Sequence, residues 1–161
     1  MRLATTAALA VLLLSSAGCA RAQSDGQNPT AFMAQNALAD GVHVLPSGVQ
    51  YKILKSGPAT GAHPTPTDQI TVNYEGTLLN GQIFDSSYQR GKPASFELDG
   101  LVQGWIDALQ QMRPGDEWIV YIPPSLGYGA QQKGPIPGNS VLVFRLELLS
   151  IGAAPAGGAA G

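Results

Sequence analysis

Residues 69–87, QITVNYEGTLLNGQIFDSS, decide the class of fold. From Ile70 to Leu78, apolar side chains alternate with polar ones, and this period of two predicts a strand with one buried face. Asn80 and Gly81 follow, and they are a strong hairpin signal because both residues tolerate positive φ angles. The stretch therefore predicts a β-hairpin whose second strand runs back along the first.

Further strands and one helix extend this hairpin. The segment 101–112, LVQGWIDALQQM, carries its apolar residues at the spacing of an amphipathic helix. Shorter apolar or alternating runs predict strands at 48–57, 94–99, 117–122 and 140–151. The predicted fold class is α+β, a strongly twisted antiparallel sheet of five to six strands wrapped around one amphipathic helix. Asn28 and Pro29 add a short N-terminal helix, because they suit its cap and its first position.

The N-terminal residues predict export. Arg2 precedes an apolar run over residues 3–14, which is too short for a membrane span of about 20 residues and is typical of a signal peptide. The signal peptide has two possible cleavage sites, and the sequence does not decide between them. The motif SAGC resembles a lipoprotein box, which would make Cys19 the lipidated first residue and attach the protein to the membrane. The next three residues, ARA, instead predict ordinary cleavage before Gln23.

The chain is thus divided into four predicted parts. Residues 1–22 are the signal peptide, or 1–18 if the protein is processed as a lipoprotein. Residues 23–47 form an N-terminal extension with the short helix, and residues 48–151 form one folded domain. Residues 152–161 contain only Ala, Gly and Pro, a composition that predicts a disordered tail.

Composition excludes several classes of function. The formal net charge of −2 leaves no basic surface for nucleic acid. The single cysteine allows neither a disulfide framework nor a cysteine metal site. His43 and His63 lack partners at metal-ligand spacing, and the sequence has no nucleophile elbow and no phosphate-binding loop. We therefore expect no metal site, no cofactor and no covalent catalysis.

A set of mostly apolar residues near loop ends forms the candidate site. Core packing is the simpler explanation for Phe96 and Phe144 taken singly. Gly127 and Gly129 flank Tyr128, which indicates a loop shaped around an exposed ring. The candidates are Tyr74, Phe84, Asp85, Phe96, Val102, Trp105, Tyr128, Ile136 and Phe144.

Four motifs resemble FKBP-type peptidyl-prolyl cis/trans isomerases: TVNYEGTLLNGQIFDSS, VQGWIDALQQMRPGDEWIVYIP, LGYGA and IPGNSVLVFRLELLSI. The resemblance runs from about Gly48 to Ile151. The residues before it resemble the macrophage infectivity potentiator subgroup without its long dimerising helix, so a monomer is expected. The resemblance implies an isomerase without a cofactor. Its partners would be proline-containing exported polypeptides, and its inhibitors macrolides such as tacrolimus and rapamycin.

The resemblance also implies roles for the candidate residues. Trp105 would form the floor of a pocket, and Tyr128 and the backbone amide of Val102 would hydrogen-bond the bound peptide. Asp85 would lie at the rim, hydrogen-bonded to Tyr128; capping the next turn or pairing with a polar neighbour is the alternative. Ala94 stands where some members carry an aromatic residue, which leaves that wall more open and bears on macrolide affinity. The catalytic set would be Tyr74, Phe84, Asp85, Trp105, Tyr128 and Phe144, with Phe96, Val102 and Ile136 binding the substrate.

The predicted function is faster rotation of Xaa-Pro bonds in exported polypeptides, in the periplasm or at the outer membrane. A chaperone that holds polypeptides in the same cleft without turnover is the alternative. A structural outer-membrane lipoprotein with a decayed pocket is a third hypothesis, and the intact set of aromatic residues argues against it.

Overall fold

The computed structural model describes residues 28–152. Within this range two helices, α1 (Pro29–Asn36) and α2 (Gln103–Leu109), accompany seven strands. The strands are β1 (Val42–Val44), β2 (Gln50–Lys55), β3 (Gln69–Thr77), β4 (Ile83–Ser86), β5 (Ala94–Glu97), β6 (Glu117–Ile122) and β7 (Leu142–Gly152). The predicted signal peptide, Cys19 and the predicted tail after Gly152 lie outside the described residues.

The strands form one antiparallel sheet in the order β1-β2-β6-β7-β3-β4, and β5 also pairs with β3. The predicted α+β class with a twisted antiparallel sheet is confirmed. The described sheet has seven strands, more than the five to six predicted. The additional strand is β1, an edge strand of three residues that pairs with β2. It is too short for any alternation of side chains to reveal it.

One face of the sheet is packed against α2. Alternate residues of β3, β6 and β7 are buried, and for β3 and β7 the period-two patterns predict this. Trp105, Ala108 and Leu109 of α2 are buried too. Gly104 permits a close approach, because a Cβ atom there would lie 2.5 Å from Cγ2 of Ile122 on β6. The helix therefore lies close on the sheet, and its aromatic residue Trp105 is held at a fixed depth.

Helix α1 is attached to the edge of the domain. Oδ1 of Asn28 accepts a hydrogen bond from the N–H of Thr30 at 3.0 Å, which is the predicted N-terminal cap. Gln50 of β2 donates its Nε2–H to the carbonyl of Met33 at 2.7 Å, and Met33 is buried. Of the helices in the described part of the chain, neither has the length and hydrophobicity that a membrane-spanning helix requires.

Candidate functional site

A largely apolar cavity of about 430 Å³ opens between the first turn of α2, the strands β3 to β5 and the loop before β7. All nine candidate residues line it, together with three that the sequence analysis did not identify. The lining residues are Tyr74, Phe84, Asp85, Phe96, Gly100, Leu101, Val102, Trp105, Tyr128, Lys133, Ile136 and Phe144.

Trp105 lies at the base of the cavity and contacts three other rings. Its ring centroid is 5.1 Å from those of Tyr74 and Phe144 and 5.9 Å from that of Phe96. All three contacts are edge-to-face, with interplanar angles between 79° and 89°. Perpendicular ring pairs of this kind are the favoured geometry of aromatic contacts. Trp105 is only 4% exposed, so the base of the cavity is an ordered aromatic surface.

Phe84 and Phe144 form a second perpendicular pair, with centroids 5.5 Å apart, on one wall. Gly76 of β3 lies directly behind this pair. A Cβ atom at Gly76 would lie 2.6 Å from the Phe84 ring and 2.7 Å from the Phe144 ring. Only glycine leaves room for both rings in these positions. A glycine inside an alternating strand was the available sequence signal, because it often marks a close approach.

Asp85 is bound by Tyr74 and Arg90. The Tyr74 hydroxyl donates to Oδ2 of Asp85 at 2.5 Å and accepts a hydrogen bond from the Arg90 guanidinium at 2.8 Å. Arg90 also forms an ion pair with Asp85. The predicted hydrogen bond between the Tyr128 hydroxyl and Asp85 is therefore wrong. The Asp85 carboxylate pairs with polar neighbours instead, which was the alternative. Asp85 lies opposite Gly76 in the β3–β4 ladder, which brings its carboxylate beside Tyr74.

The protonation of this network follows from its contacts. Burial raises the pKa of Tyr74, and the hydrogen bond to Asp85 raises it further. Burial also favours a higher pKa for Asp85, but the hydrogen bonds from Tyr74 and Arg90 outweigh it and lower the pKa. At neutral pH Asp85 is thus a carboxylate and Tyr74 a neutral phenol. Neither group changes its protonation near neutral pH, and the hydrogen bonds hold the side chains in place.

Val102 and Tyr128 line the cavity, and each carries a hydrogen-bonding group. Val102 caps α2, and its carbonyl accepts the N–H of Trp105 at 2.9 Å. Nothing in residues 28–152 accepts the N–H of Val102 itself. Tyr128 is 38% exposed. The φ angle of +68° at Gly129 allows the turn that presents this ring, in line with the flanking glycines of the motif.

Lys133 and Ile136 organise the rest of this loop. Their backbones exchange two hydrogen bonds, of 2.9 and 3.0 Å, which form a short bridge. Ile136 is 4% exposed and lines the cavity, as predicted. The Lys133 ammonium lies 5.8 Å from the centroid of the Tyr128 ring, a cation–π contact. Lys133 and Arg90 were not identified from sequence, because a lone basic residue in a polar loop carries no periodic signal.

The residues outside the cavity also have definite neighbours. His43 stacks on Tyr51 with centroids 5.1 Å apart, and Nδ1 of His63 lies 3.1 Å from the carbonyl of Met112. In the described range no three His, Cys, Asp or Glu side chains group as metal ligands would. Ala94 packs at the edge of the core and does not line the cavity.

Family models match two segments of the chain. The model described as "FKBP-type peptidyl-prolyl cis-trans isomerase" matches residues 60–149, which carry the whole cavity. The model described as "Domain amino terminal to FKBP-type peptidyl-prolyl isomerase" matches residues 14–53. The two matches have the same order along the chain as the two segments of the predicted resemblance.

Curated relatives of this chain indicate the same family as the family models. "Peptidyl-prolyl cis-trans isomerase Mip" of Coxiella burnetii is 46% identical over 128 residues, which are 79% of this chain and 55% of the relative. "Outer membrane protein MIP" of Legionella longbeachae is 42% identical over 132 residues, 81% of this chain and 56% of the relative. The chain thus spans about half the length of these curated relatives.

Solved structures share the fold. FkpA from Escherichia coli superposes with a TM-score of 0.74 at 39% identity, over 79% of this chain and 59% of the other. A peptidyl-prolyl cis-trans isomerase from Pseudomonas syringae superposes with a TM-score of 0.71 at 36% identity, over 77% of this chain and 90% of the other. The cavity, the family models and these relatives agree, and the chain belongs to the family of FKBP-type peptidyl-prolyl cis-trans isomerases.

Proposed function

We propose that this chain is a peptidyl-prolyl cis-trans isomerase that accelerates rotation about Xaa-Pro bonds in polypeptides. The observation that supports this most directly is the aromatic cavity itself. Its base is the buried ring of Trp105, and Phe84 and Phe144 form a wall. Such a space fits an apolar five-membered ring, and ligand sites of this kind combine apolar walls with a few polar groups.

The physical basis is the polarity of the amide. Rotation about an Xaa-Pro bond is slow, over tens to hundreds of seconds, because twisting the bond breaks its resonance. The planar amide is more charge-separated than the twisted one, so water stabilises the planar state more. A cavity walled by Trp105, Phe84 and Phe144 removes water from the bound bond and so favours the twisted state. Each 1.4 kcal/mol of such preference is worth about tenfold in rate.

Orientation supplies the second contribution. In this proposal the free N–H of Val102 and the hydroxyl of Tyr128, two residues that line the cavity, hold carbonyl groups of the peptide on either side of the proline. When one side of the bond is held, thermal motion of the other side leads to productive rotation. In this proposal Tyr74, Asp85 and Arg90 act by fixing the wall next to Trp105, and no proton transfer is involved.

The proposed substrates are exported polypeptides, and the proposed location is the bacterial envelope. Support comes from the basic residue and apolar run at the N-terminus and from the name of the Legionella longbeachae relative, "Outer membrane protein MIP". We further propose that Cys19 is lipidated, with cleavage before Gln23 as the other outcome. Mass spectrometry of the mature N-terminus distinguishes a lipid-modified Cys19 from a free residue 23.

Exchange spectroscopy by NMR on an Xaa-Pro peptide tests the proposed reaction. We expect the protein to raise the exchange rate, and tacrolimus or rapamycin to compete for the site. Tyr128→Phe should lower kcat/KM about two- to tenfold, the effect of losing one hydrogen bond of about 0.5–1.5 kcal/mol. Tyr121→Phe is the matched control, because Tyr121 contacts Phe32 on α1 and does not line the cavity.

The same measurements distinguish an isomerase from a chaperone that only holds polypeptides. A protein that leaves peptide exchange unchanged but suppresses the aggregation of an unfolded client would be a polypeptide-binding chaperone. Equal activity of Tyr128→Phe and the unaltered protein would remove Tyr128 from the proposed mechanism.

A further inference from the structure

The lining of the cavity carries one positive charge without a balancing partner. Asp85 and Lys133 are its two charged residues. Asp85 is neutralised by Arg90, which lies within ion-pairing distance of it. In the described part of the chain the only other ion pair joins Arg145 to Glu117, so Lys133 has no carboxylate partner there. Any peptide in the cavity therefore experiences a net positive charge at the position of Lys133.

The structure also holds this charge at the lining of the proposed substrate site. The backbone of Lys133 is fixed by its two hydrogen bonds with Ile136, and Ile136 is itself buried in the cavity wall. The ammonium lies 5.8 Å from the ring of Tyr128, whose hydroxyl is proposed to bind the peptide. A cation–π contact restrains the long lysine side chain, which would otherwise extend into solvent. The charge is thus placed at the exposed mouth of the cavity.

We propose that Lys133 is a specificity-determining residue that favours substrates with an acidic side chain immediately before or after the proline. This inference rests on the proposed isomerase function. The apolar interior selects the proline ring, whereas the neighbouring side chain must leave the cavity through its mouth. A carboxylate there meets the Lys133 ammonium and no like charge, because the carboxylate of Asp85 is already paired with Arg90.

The expected size of the preference is modest. Lys133 is exposed, and exposed ion pairs are partly screened by water and salt. Measured exposed pairs correspond to preferences of about two- to fivefold, and we expect that range for the ratio of kcat/KM between Glu and Gln peptides. The preference should shrink with salt, because the Debye length falls from about 30 Å at 0.01 M to about 3 Å at 1 M.

Matched peptides with Glu, Gln or Lys next to the proline test the inference. Their exchange rates are measured by NMR with the full chain, at low and high salt. The unaltered protein should favour Glu over Gln about two- to fivefold at low salt. Lys133→Gln should bring this ratio close to one, Lys133→Glu should favour the Lys peptide, and Lys133→Arg should retain the preference. Lys55→Gln is the control, since Lys55 lies in β2, opposite Glu117 of β6 in the sheet, and does not line the cavity.

The outcomes separate this inference from the proposed function. If all three peptides are accelerated equally, Lys133 has no role in specificity and the isomerase function stands. If Lys133→Gln keeps the Glu preference, another group causes it and the inference is overturned. If no peptide is accelerated, the isomerase function itself is refuted, and the inference with it. Because each result is a ratio within one variant, partial loss of folded protein does not change its meaning.

Discussion

The substitution Gly76→Ala tests whether the cavity wall formed by Phe84 and Phe144 requires a residue without a side chain at position 76. The new Cβ atom would lie 2.6 Å from the ring of Phe84 and 2.7 Å from that of Phe144. Ordinary carbon–carbon contacts have their optimum at about 3.5–4.0 Å. The two rings must therefore move by roughly 0.8 Å or more, and both line the cavity.

The energetic cost follows from two opposing effects. Overpacking a close-packed core costs about 1–3 kcal/mol. Replacing a strand glycine by alanine raises the free energy of unfolding by about 0.5–1 kcal/mol, because the unfolded chain loses conformational freedom. The free energy of unfolding should thus fall by about 0–2.5 kcal/mol, measured by urea denaturation. A displacement of about 1 Å in a binding wall can cost up to about a hundredfold, and we expect kcat/KM to fall at least tenfold.

Gly152→Ala is the matched control. Gly152 is also in a strand, but a Cβ atom there would have its nearest neighbour at 3.6 Å, an ordinary contact. Its stability and activity should equal those of the unaltered protein or rise slightly. The reasoning is refuted if Gly76→Ala retains full kcat/KM, whether its stability falls or not. In that case the positions of Phe84 and Phe144 would not matter to the reaction.

The remaining predictions concern the base of the cavity and its polar network. Trp105→Ala should lower the free energy of unfolding by about 3–5 kcal/mol and abolish most of the activity per folded molecule. Trp118→Ala is its control: Trp118 is equally buried but stacks on Tyr51 outside the cavity, so it should lose similar stability and keep its activity. Equal losses of activity in the two variants would contradict a special role for Trp105. The second prediction is a kcat/KM that stays flat between about pH 5 and pH 9, since the pKa of Asp85 lies below its ordinary value of about 3.9 and that of Tyr74 above about 10. The stability that Asp85 contributes is present above its ordinary pKa and is lost as the pH falls through the lowered one. Asp85→Asn should therefore be less stable than the unaltered protein at pH 7, and the difference should shrink as the pH falls through the lowered pKa of Asp85. A bell-shaped activity profile centred near neutral pH would argue for proton transfer.

Local patterns were enough to predict most of the elements. The alternation in β3 and β7 and the helical spacing at 101–112 arise from which residues face the core, and each is visible within about ten residues. The hairpin between β3 and β4 was equally local, but of the two turn residues only Gly81 has a positive φ angle, +84°, and Asn80 does not. The family resemblance then placed all nine candidate residues, and the structure brings these nine to one cavity.

Contacts between distant segments were not visible in those patterns. The partners of Asp85 depend on the register between β3 and β4, and the need for glycine at position 76 depends on two rings, one of them 68 residues further along the chain. The position of Lys133 beside Tyr128 depends on how the loop before β7 folds over the cavity.

The amino-acid sequence by itself determined the class of fold, the family and the identity of the residues around the cavity, because periodicity and motif order are properties of the chain alone. Only the tertiary structure decided which of these residues touch, which charges cancel and which stay free. Those properties depend on distances between strands and loops that are far apart in sequence, and it is these distances that set the charge at the mouth of the cavity.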